Sequence, residues 1–183
     1  MRNVNFFTES FKNFKTVGTL APCSSVAVEK MLKPVDFSRA STIVELGGGT
    51  GVITKALLKA AKPGTKIFVF ETNPNFAKVL KHMGGDRVSV IHDSAEHMLA
   101  RLQSFGITEV DYVISTLPLA LMDDCTKEKI FDGIKKVLRS GGHYVQIQYS
   151  LLSKKEIEKK FRTVILDFTP FNFPPAFFYV CKQ

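Results

Sequence analysis

Tryptophan is absent from the 183 residues, and cysteine is scarce. The three cysteines, Cys23, Cys125 and Cys181, are odd in number, lie far apart and show no C-x-x-C spacing. The sequence therefore predicts neither a disulfide framework nor a metal site, and the cysteine usage fits a reducing cytoplasm. Phenylalanine, by contrast, occurs 16 times.

Long apolar runs are also missing. The longest, residues 113–122, is broken by polar residues and by Pro118, and it is too short to cross a bilayer. Residues 1–12 lack the apolar core and cleavage site of a secretion signal. The length suits one domain, which we expect to be a monomer.

Acidic residues are outnumbered by basic ones. The chain has 25 Lys and Arg against 17 Asp and Glu, which gives a net charge of +8. Such a balance suits an anionic partner, either nucleic acid or a phospholipid surface, and charge alone does not choose between them.

Short β-rich runs alternate with helical segments from residue 41 onward, which predicts an α/β fold. Five strands are expected at 42–46, 66–70, 87–91, 111–115 and 143–150, separated by helices at about 50–61, 75–83, 95–105 and 127–138. Such strands form a parallel sheet with helices on both faces. Arg139 and Gly141-Gly142 are typical of the end of the last of these helices.

The C-terminal part has a different pattern. A charged helix is predicted at 154–161, and two strands at 163–168 and 176–182 are separated by a loop of Pro and Phe. We expect these strands to form an antiparallel hairpin at the sheet edge, which completes a seven-stranded, mostly parallel sheet in a single Rossmann-like domain.

The stretch VELGGGTG, residues 44–51, places four glycines between the first strand and the next helix: Gly47, Gly48, Gly49 and Gly51. Glycine at such a turn lets the backbone approach a ligand, while the helix start offers free N–H groups. A dinucleotide fingerprint would need glycine at position 52, where Val52 stands, so a nicotinamide oxidoreductase is disfavoured.

Acidic residues accompany this loop at the ends of three successive strands. Glu45 precedes the glycines, Glu71 follows the second strand, and Asp93 follows the third. The carboxyl ends of parallel strands share one edge of the sheet, where ligands bind. A carboxylate at Glu71 would accept hydrogen bonds from both hydroxyls of a ribose.

With Glu45 in front, the G-x-G-x-G loop resembles the first motif of class I S-adenosylmethionine-dependent methyltransferases. The resemblance implies S-adenosylmethionine as cofactor, with the glycine turn around its methionine end and ribose. Glu71 and its neighbour Thr72 would lie at the ribose. Asp93, with Ser94 and Ala95, would lie at the adenine.

Residues 1–18 predict an amphipathic helix that precedes the domain of residues 19–183. Val4, Phe7, Phe11 and Phe14 share one side of this helix, and Lys12 and Lys15 lie away from it. Such a helix suits a lipid interface, although the same periodicity also fits a helix packed on the sheet.

Four further stretches, at residues 17–25, 115–120, 145–150 and 171–180, are similar to segments of the small soluble bacterial phospholipid N-methyltransferases. The sequence departs from that family's patterns at Cys23, Thr116, Ser150 and Phe173. The resemblance implies stepwise methylation of phosphatidylethanolamine towards phosphatidylcholine. It also implies a peripheral enzyme on the inner membrane face, anchored by the N-terminal helix.

The same resemblance carries expectations for the site. Thr19, Ser24 and Ser25 belong to a segment that would close over the cofactor. Tyr149 is the candidate for contact with the substrate amine, and Thr116 with the backbone up to Pro118 would lie near it. His143 is a minor candidate for proton removal.

Two other functions stay open at this point. An RNA adenine N-methyltransferase would suit the loop and the charge, but Leu119 stands where such enzymes place an aromatic residue that stacks on the flipped base. A lipid-binding module without catalysis would need neither the glycines nor the three acids.

Overall fold

The structure, a computed structural model, describes residues 23–183. The amphipathic helix predicted over residues 1–18 and the cofactor contact predicted for Thr19 lie outside the described residues and stay predictions.

Seven strands alternate with six α-helices in the described part of the chain. The strands are β1 Thr42–Leu46, β2 Lys66–Phe70, β3 Val88–Ile91, β4 Val110–Ser115, β5 Leu138–Gln148, β6 Thr163–Thr169 and β7 Ala176–Lys182. The helices are α1 Ser25–Leu32, α2 Val52–Ala60, α3 Pro74–Lys81, α4 Met98–Ser104, α5 Asp124–Val137 and α6 Lys154–Lys160. Short 3₁₀ turns occupy Gly85–Arg87, Ala95–His97 and Leu119–Leu121.

All seven strands form one sheet in the order β3-β2-β1-β4-β5-β7-β6. Neighbours from β3 to β5 are parallel, whereas β7 is antiparallel to both β5 and β6. The predicted parallel sheet with an antiparallel C-terminal hairpin is therefore confirmed. Strand order reverses between β1 and β4, and this places a crevice at the carboxyl end of β1.

Three helices cover each face of the sheet. Helices α1 to α3 bury apolar residues on one face, led by Met31, Leu57 and Leu80. Helices α4 to α6 bury Met98, Phe131 and Ile157, among others, on the opposite face. Both faces of the central strands are thus closed to water, which explains why β1, β2 and β4 are almost continuously apolar.

The start of β5 differs from the prediction. The strand begins at Leu138, directly after α5, so the glycines at 141 and 142 do not end a helix. The register with β4 shifts between Val110 and Tyr112, and Gly141 adopts a φ of 76° in the extra residues. A Cβ on Gly142 would lie 2.7 Å from the Asp111 carbonyl oxygen. The glycines at 141 and 142 therefore allow the β5 backbone to accommodate the extra residues of this register shift.

Three further properties concern residues 23–183 alone. None of their helices combines the length and the apolar character that a membrane span requires. No cluster of three or more His, Cys, Asp or Glu side chains among these residues is arranged to hold a metal ion. The three cysteines are free thiols.

Candidate functional site

The glycine loop is anchored to the neighbouring strand. The backbone N–H groups of Gly47 and Gly48 both donate to the Phe70 carbonyl oxygen, at 2.9 and 3.3 Å. Gly47, Gly49 and Gly51 have φ values of 84°, 49° and 82°. Side chains with a Cβ rarely adopt these angles, so the loop's path depends on glycine at all three positions.

Two of the four glycines are packed closely against side chains of the protein itself. A Cβ on Gly48 would lie 2.5 Å from the Val69 side chain and 2.7 Å from that of Leu80. A Cβ on Gly51 would lie 2.4 Å from the sulfur of Met83. The close neighbours of these two glycines therefore come from the protein, not from a ligand.

Gly49 is different, because a Cβ built on it meets no atom within 4 Å. At Gly47, by contrast, the added atom would lie 2.8 Å from the Thr116 hydroxyl. Gly49 is therefore the loop position whose bare backbone faces open space. A ligand at the carboxyl end of β1 would approach the main chain at this point.

Glu71 fixes the loop from the end of β2. Its Oε2 accepts a hydrogen bond from the Gly49 N–H at 2.7 Å, and its Oε1 accepts one from the Asn73 N–H, also at 2.7 Å. Each carboxylate oxygen keeps a further lone pair for a ligand hydroxyl. Thr72, next to it, is exposed, and its carbonyl oxygen lies 3.0 Å from His92 Nε2.

Glu45 is fully buried beneath the loop. The Thr54 hydroxyl donates to its Oε2 at 2.7 Å, while Oε1 has no hydrogen-bond partner within residues 23–183. Burial, and to a lesser extent the charge of Glu71, raises the pKa of the Glu45 carboxyl to about 8. Without a cation beside it, this carboxyl is therefore mostly protonated at neutral pH.

Asp93 lies just after the end of β3, and both of its carboxylate oxygens accept hydrogen bonds. Arg101 Nε donates to Oδ2 at 2.6 Å, and the Ser94 N–H donates to Oδ1 at 2.8 Å. His97 Nδ1 lies 2.9 Å from the same Oδ1. The bonds to His97 and Arg101 hold the pKa of Asp93 well below its usual range, so the group is a fixed anion. Ala95 follows, buried, in the 3₁₀ turn.

The end of β4 is tied to the glycine loop through Thr116. Its backbone N–H donates to the Leu46 carbonyl at 2.9 Å, and its hydroxyl donates to the Gly47 carbonyl at 2.7 Å. The hydroxyl proton is thus committed to the loop. The structure brings Thr116 to the glycine loop, where its hydroxyl fixes the backbone.

Two glutamines that the sequence analysis did not identify hold the next residue. The side-chain amides of Gln146 and Gln148 both donate to the Leu117 carbonyl oxygen, at 3.0 and 2.7 Å. Both glutamines are buried on β5. Their positions in the sequence could have indicated this role. Two polar residues two positions apart in an otherwise apolar strand lie on the same face, and buried polar side chains need hydrogen-bond partners.

Tyr149 follows β5 and is half-buried. Its hydroxyl hydrogen-bonds to the side chains of Cys23 and Asn172, and burial, followed by Cys23, raises its pKa well above the usual range. Burial likewise raises the pKa of the Cys23 thiol. Both groups are therefore protonated at neutral pH.

Asn172 is a second residue that the sequence analysis missed. Its Oδ1 accepts a hydrogen bond from the Ser24 N–H at 2.9 Å, and its amide donates to the Pro174 carbonyl at 2.7 Å. The Ser24 hydroxyl donates to the Phe171 carbonyl and also caps α1. Ser24 thus joins the start of the described chain to the β6–β7 loop, whereas Ser25 is exposed on the first turn of α1.

His143 lies far from this cluster. It is six residues before Tyr149 on the sequence, which corresponds to about 20 Å along an extended strand. Its ring stacks on Tyr112 at 5.9 Å, and burial lowers its pKa. This placement keeps His143 away from the carboxyl edge.

These groups fit S-adenosylmethionine, which combines a ribose with a positively charged sulfonium and an ammonium group. Gly49 leaves room for the ligand at the backbone, and Glu71 offers lone pairs for ribose hydroxyls. The unpartnered Oε1 of the buried Glu45 suits a positively charged group such as the cofactor's ammonium.

The chain is similar to known methyltransferases in sequence. The methyltransferase domain family matches residues 43–142, from β1 to the start of β5. An ornithine lipid N-methyltransferase from Singulisphaera acidiphila is 29% identical over 180 residues, which cover 97% of this chain and 94% of that protein. A ubiquinone/menaquinone biosynthesis C-methyltransferase from Hydrogenovibrio crunogenus is 23% identical over 74% of this chain and 50% of that protein.

The fold is also that of a solved methyltransferase. The precorrin-6y C5,15-methyltransferase of Geobacter metallireducens superposes with a TM-score of 0.67 at 15% identity, over 87% of this chain and 90% of that one. The family match spans more than half of the chain, and strand order, glycine loop and acids agree with it. The chain therefore belongs to the methyltransferase domain family and is a class I S-adenosylmethionine-dependent methyltransferase.

Proposed function

We propose that this methyltransferase transfers methyl groups to the primary amine of a membrane phospholipid, with phosphatidylethanolamine as substrate and phosphatidylcholine as the final product. The match to the ornithine lipid N-methyltransferase over nearly the whole of both chains carries the choice of a lipid amine as acceptor. Phosphatidylethanolamine itself rests on the resemblance of residues 17–25, 115–120, 145–150 and 171–180. The net charge of +8 supports it, since bacterial membrane surfaces are anionic.

In the proposed reaction no protein side chain forms a covalent bond with the substrate. When bound, S-adenosylmethionine supplies an electrophilic methyl group whose bond to sulfur breaks as the bond to the amine nitrogen forms. Alignment of two reactants in this way is worth about 7 to 11 kcal/mol of the barrier. The loop held by Glu71 and Thr116 supplies a rigid platform for one reactant.

The substrate amine must lose a proton before it attacks, because an ammonium has no free electron pair. Its pKa is about 10 in water, and transfer to an apolar pocket lowers it. Tyr149 and Cys23 have raised pKa values and keep their own protons at neutral pH, so neither is a base there. We assign Tyr149 the role of orienting the amine, with the proton leaving to solvent.

Ornithine lipid is a second candidate substrate, because it is the lipid in the name of the relative that aligns along nearly the whole chain. It shares with phosphatidylethanolamine an accessible amine on a membrane lipid. We further propose that the enzyme acts as a monomer at the inner membrane face. In this view the helix predicted over residues 1–18 helps to anchor it.

Methyl transfer from labelled S-adenosylmethionine tests the proposal. Purified full-length protein is incubated with vesicles that contain phosphatidylethanolamine or ornithine lipid, and in parallel with ribosomal RNA and with small soluble amines. We expect label in a lipid amine, and loss of that label for Tyr149→Ala with unchanged S-adenosylhomocysteine affinity. Label in RNA and none in either lipid would overturn the proposal.

A further inference from the structure

Several of the most exposed large apolar side chains on the described surface follow strands β5 and β6. Leu152, Phe171 and Phe173 are 72%, 73% and 85% exposed, and Leu151 and Phe168 are also exposed. We call these five residues the apolar rim. Soluble proteins expose such residues singly, whereas a group of them marks an interaction surface.

The sheet topology brings the rim residues to the same edge. Strands β5 and β6 both run antiparallel to β7, which lies between them, so β5 and β6 end on the same side. Leu151 and Leu152 follow β5, while Phe171 and Phe173 follow β6. Two strand spacings, about 10 Å, separate the two strands.

The rim borders the candidate site. Asn172 lies between Phe171 and Phe173 and is buried, with hydrogen bonds to Ser24 and to the Tyr149 hydroxyl. The same loop therefore exposes Phe171 and Phe173 to solvent and contacts Tyr149 through the buried Asn172. A bilayer that meets the rim would place lipid headgroups beside Tyr149.

The rim is uncharged at its centre and has lysines beside it. Residues 168–177 contain no charged side chain, and Lys154 and Lys155 follow Leu152 within three positions. Lys154 lies 3.4 Å from Glu158, which leaves Lys155 as the nearer cation for a phosphate. Asp167, which precedes Phe168, forms an ion pair with Lys30 at 2.6 Å. The rim thus combines an uncharged aromatic centre with a basic border, as at surfaces that enter the headgroup region of a bilayer.

We propose that the apolar rim inserts into a phospholipid bilayer and turns the mouth of the active site towards the membrane. The proposal rests on the proposed function, because a lipid amine is what gives the site a reason to face a membrane. Insertion allows the amine to reach Tyr149 while the acyl chains of the lipid stay in the bilayer.

The absence of tryptophan makes insertion directly measurable. Phe173→Trp introduces a single tryptophan into the rim. Phe105→Trp is the matched control, since Phe105 is 53% exposed and follows α4 at a distance from the rim in the sheet order. Each full-length variant is titrated with vesicles of phosphatidylethanolamine and phosphatidylglycerol that carry brominated acyl chains, which quench tryptophan only within the bilayer.

We expect vesicles to shift the emission of the Phe173→Trp variant to shorter wavelength and to quench it several-fold, with little change for Phe105→Trp. Equal quenching of both variants, or of neither, would overturn the proposal. An emission from Phe173→Trp that is already blue-shifted without vesicles and does not change with them would show that residues 1–22 cover the rim, and would also overturn it.

A second pair of variants separates this inference from the proposed function. Leu152→Ser with Phe173→Ser should weaken vesicle binding at least tenfold, whereas Phe105→Ser should not. Both proteins should keep their S-adenosylhomocysteine affinity and their activity on a short-chain phosphatidylethanolamine in free solution. Rim insertion without methylation of any lipid would contradict the proposed function alone. Methylation of vesicle lipid while the tryptophan of Phe173→Trp stays in water would contradict the inference alone.

Discussion

Replacing Glu45 with glutamine tests the electrostatics of the site in the protein without ligand. Glutamine has nearly the same shape as a protonated glutamic acid and still accepts the hydrogen bond from Thr54, but it does not titrate. Glu45 is fully buried, with one carboxyl oxygen unpartnered within residues 23–183. The variant therefore isolates the free energy of placing a negative charge at this position.

The magnitude follows from the pKa shift. Below pH 4.5 the carboxyl is protonated in both folded and unfolded states; at higher pH the unfolded chain releases its proton, and the folded protein retains it up to about pH 8. Stability from this group is thus fully present at low pH and is lost as pH rises to about 8. The loss is about 1.4 kcal/mol per pH unit, or roughly 5 kcal/mol in total.

Urea unfolding at pH 5, 6, 7 and 8 measures the effect. The difference in unfolding free energy between Glu45→Gln and the unsubstituted protein should change by about 4 kcal/mol over this range, in favour of the variant at high pH. Glu29→Gln, on the exposed side of α1, serves as a control and should leave the difference constant. Parallel stability curves for Glu45→Gln and the unsubstituted protein would refute the account of Glu45.

Two further substitutions address the loop and the substrate end. Gly49→Ala should cost about 1 to 2 kcal/mol of stability through its φ of 49° and should lower S-adenosylhomocysteine affinity at least tenfold by calorimetry. Gly85→Ala is the matched control, since Gly85 has a φ of 51° and equally open space around it; it should cost the same stability and leave S-adenosylhomocysteine affinity unchanged. Equal S-adenosylhomocysteine affinities of the two variants would show that no ligand approaches Gly49. Asn172→Ala should cost about 1 to 3 kcal/mol and raise the KM for lipid more than it changes S-adenosylhomocysteine affinity; a proportional loss of both would make Asn172 merely structural.

Much of the fold follows from local sequence patterns. Strands buried on both faces are nearly continuous apolar runs, so β1 and β2 were predicted with the bounds that the structure shows. The chain direction of β7 was predictable because the loop before it is too short for a crossover helix. The start of β5 was not, since Gly141 and Gly142 have the same pattern at a helix end and at an irregular strand.

The part of the candidate site that consists of glycines and acidic residues was predictable, because these residue types at strand ends have a characteristic use in ligand binding. Glycines and acids at strand ends indicate a nucleotide-like ligand, and the structure brings Glu45, Glu71 and the loop together. Local sequence did not show that Gly48 and Gly51 are packed closely against side chains of the protein itself. Nor did it identify Asn172, whose partner Ser24 is 148 positions away. Such contacts depend on tertiary structure, which single-sequence patterns do not encode.

The most direct test of the central claim is a crystal structure of the full-length protein with S-adenosylhomocysteine. The account predicts ribose hydroxyls within hydrogen-bond distance of the Glu71 carboxylate, the amino-acid part of the ligand over Gly49, and its ammonium next to Glu45. A ligand bound elsewhere on the molecule, with the Glu71 and Gly49 surface free of it, would contradict the account.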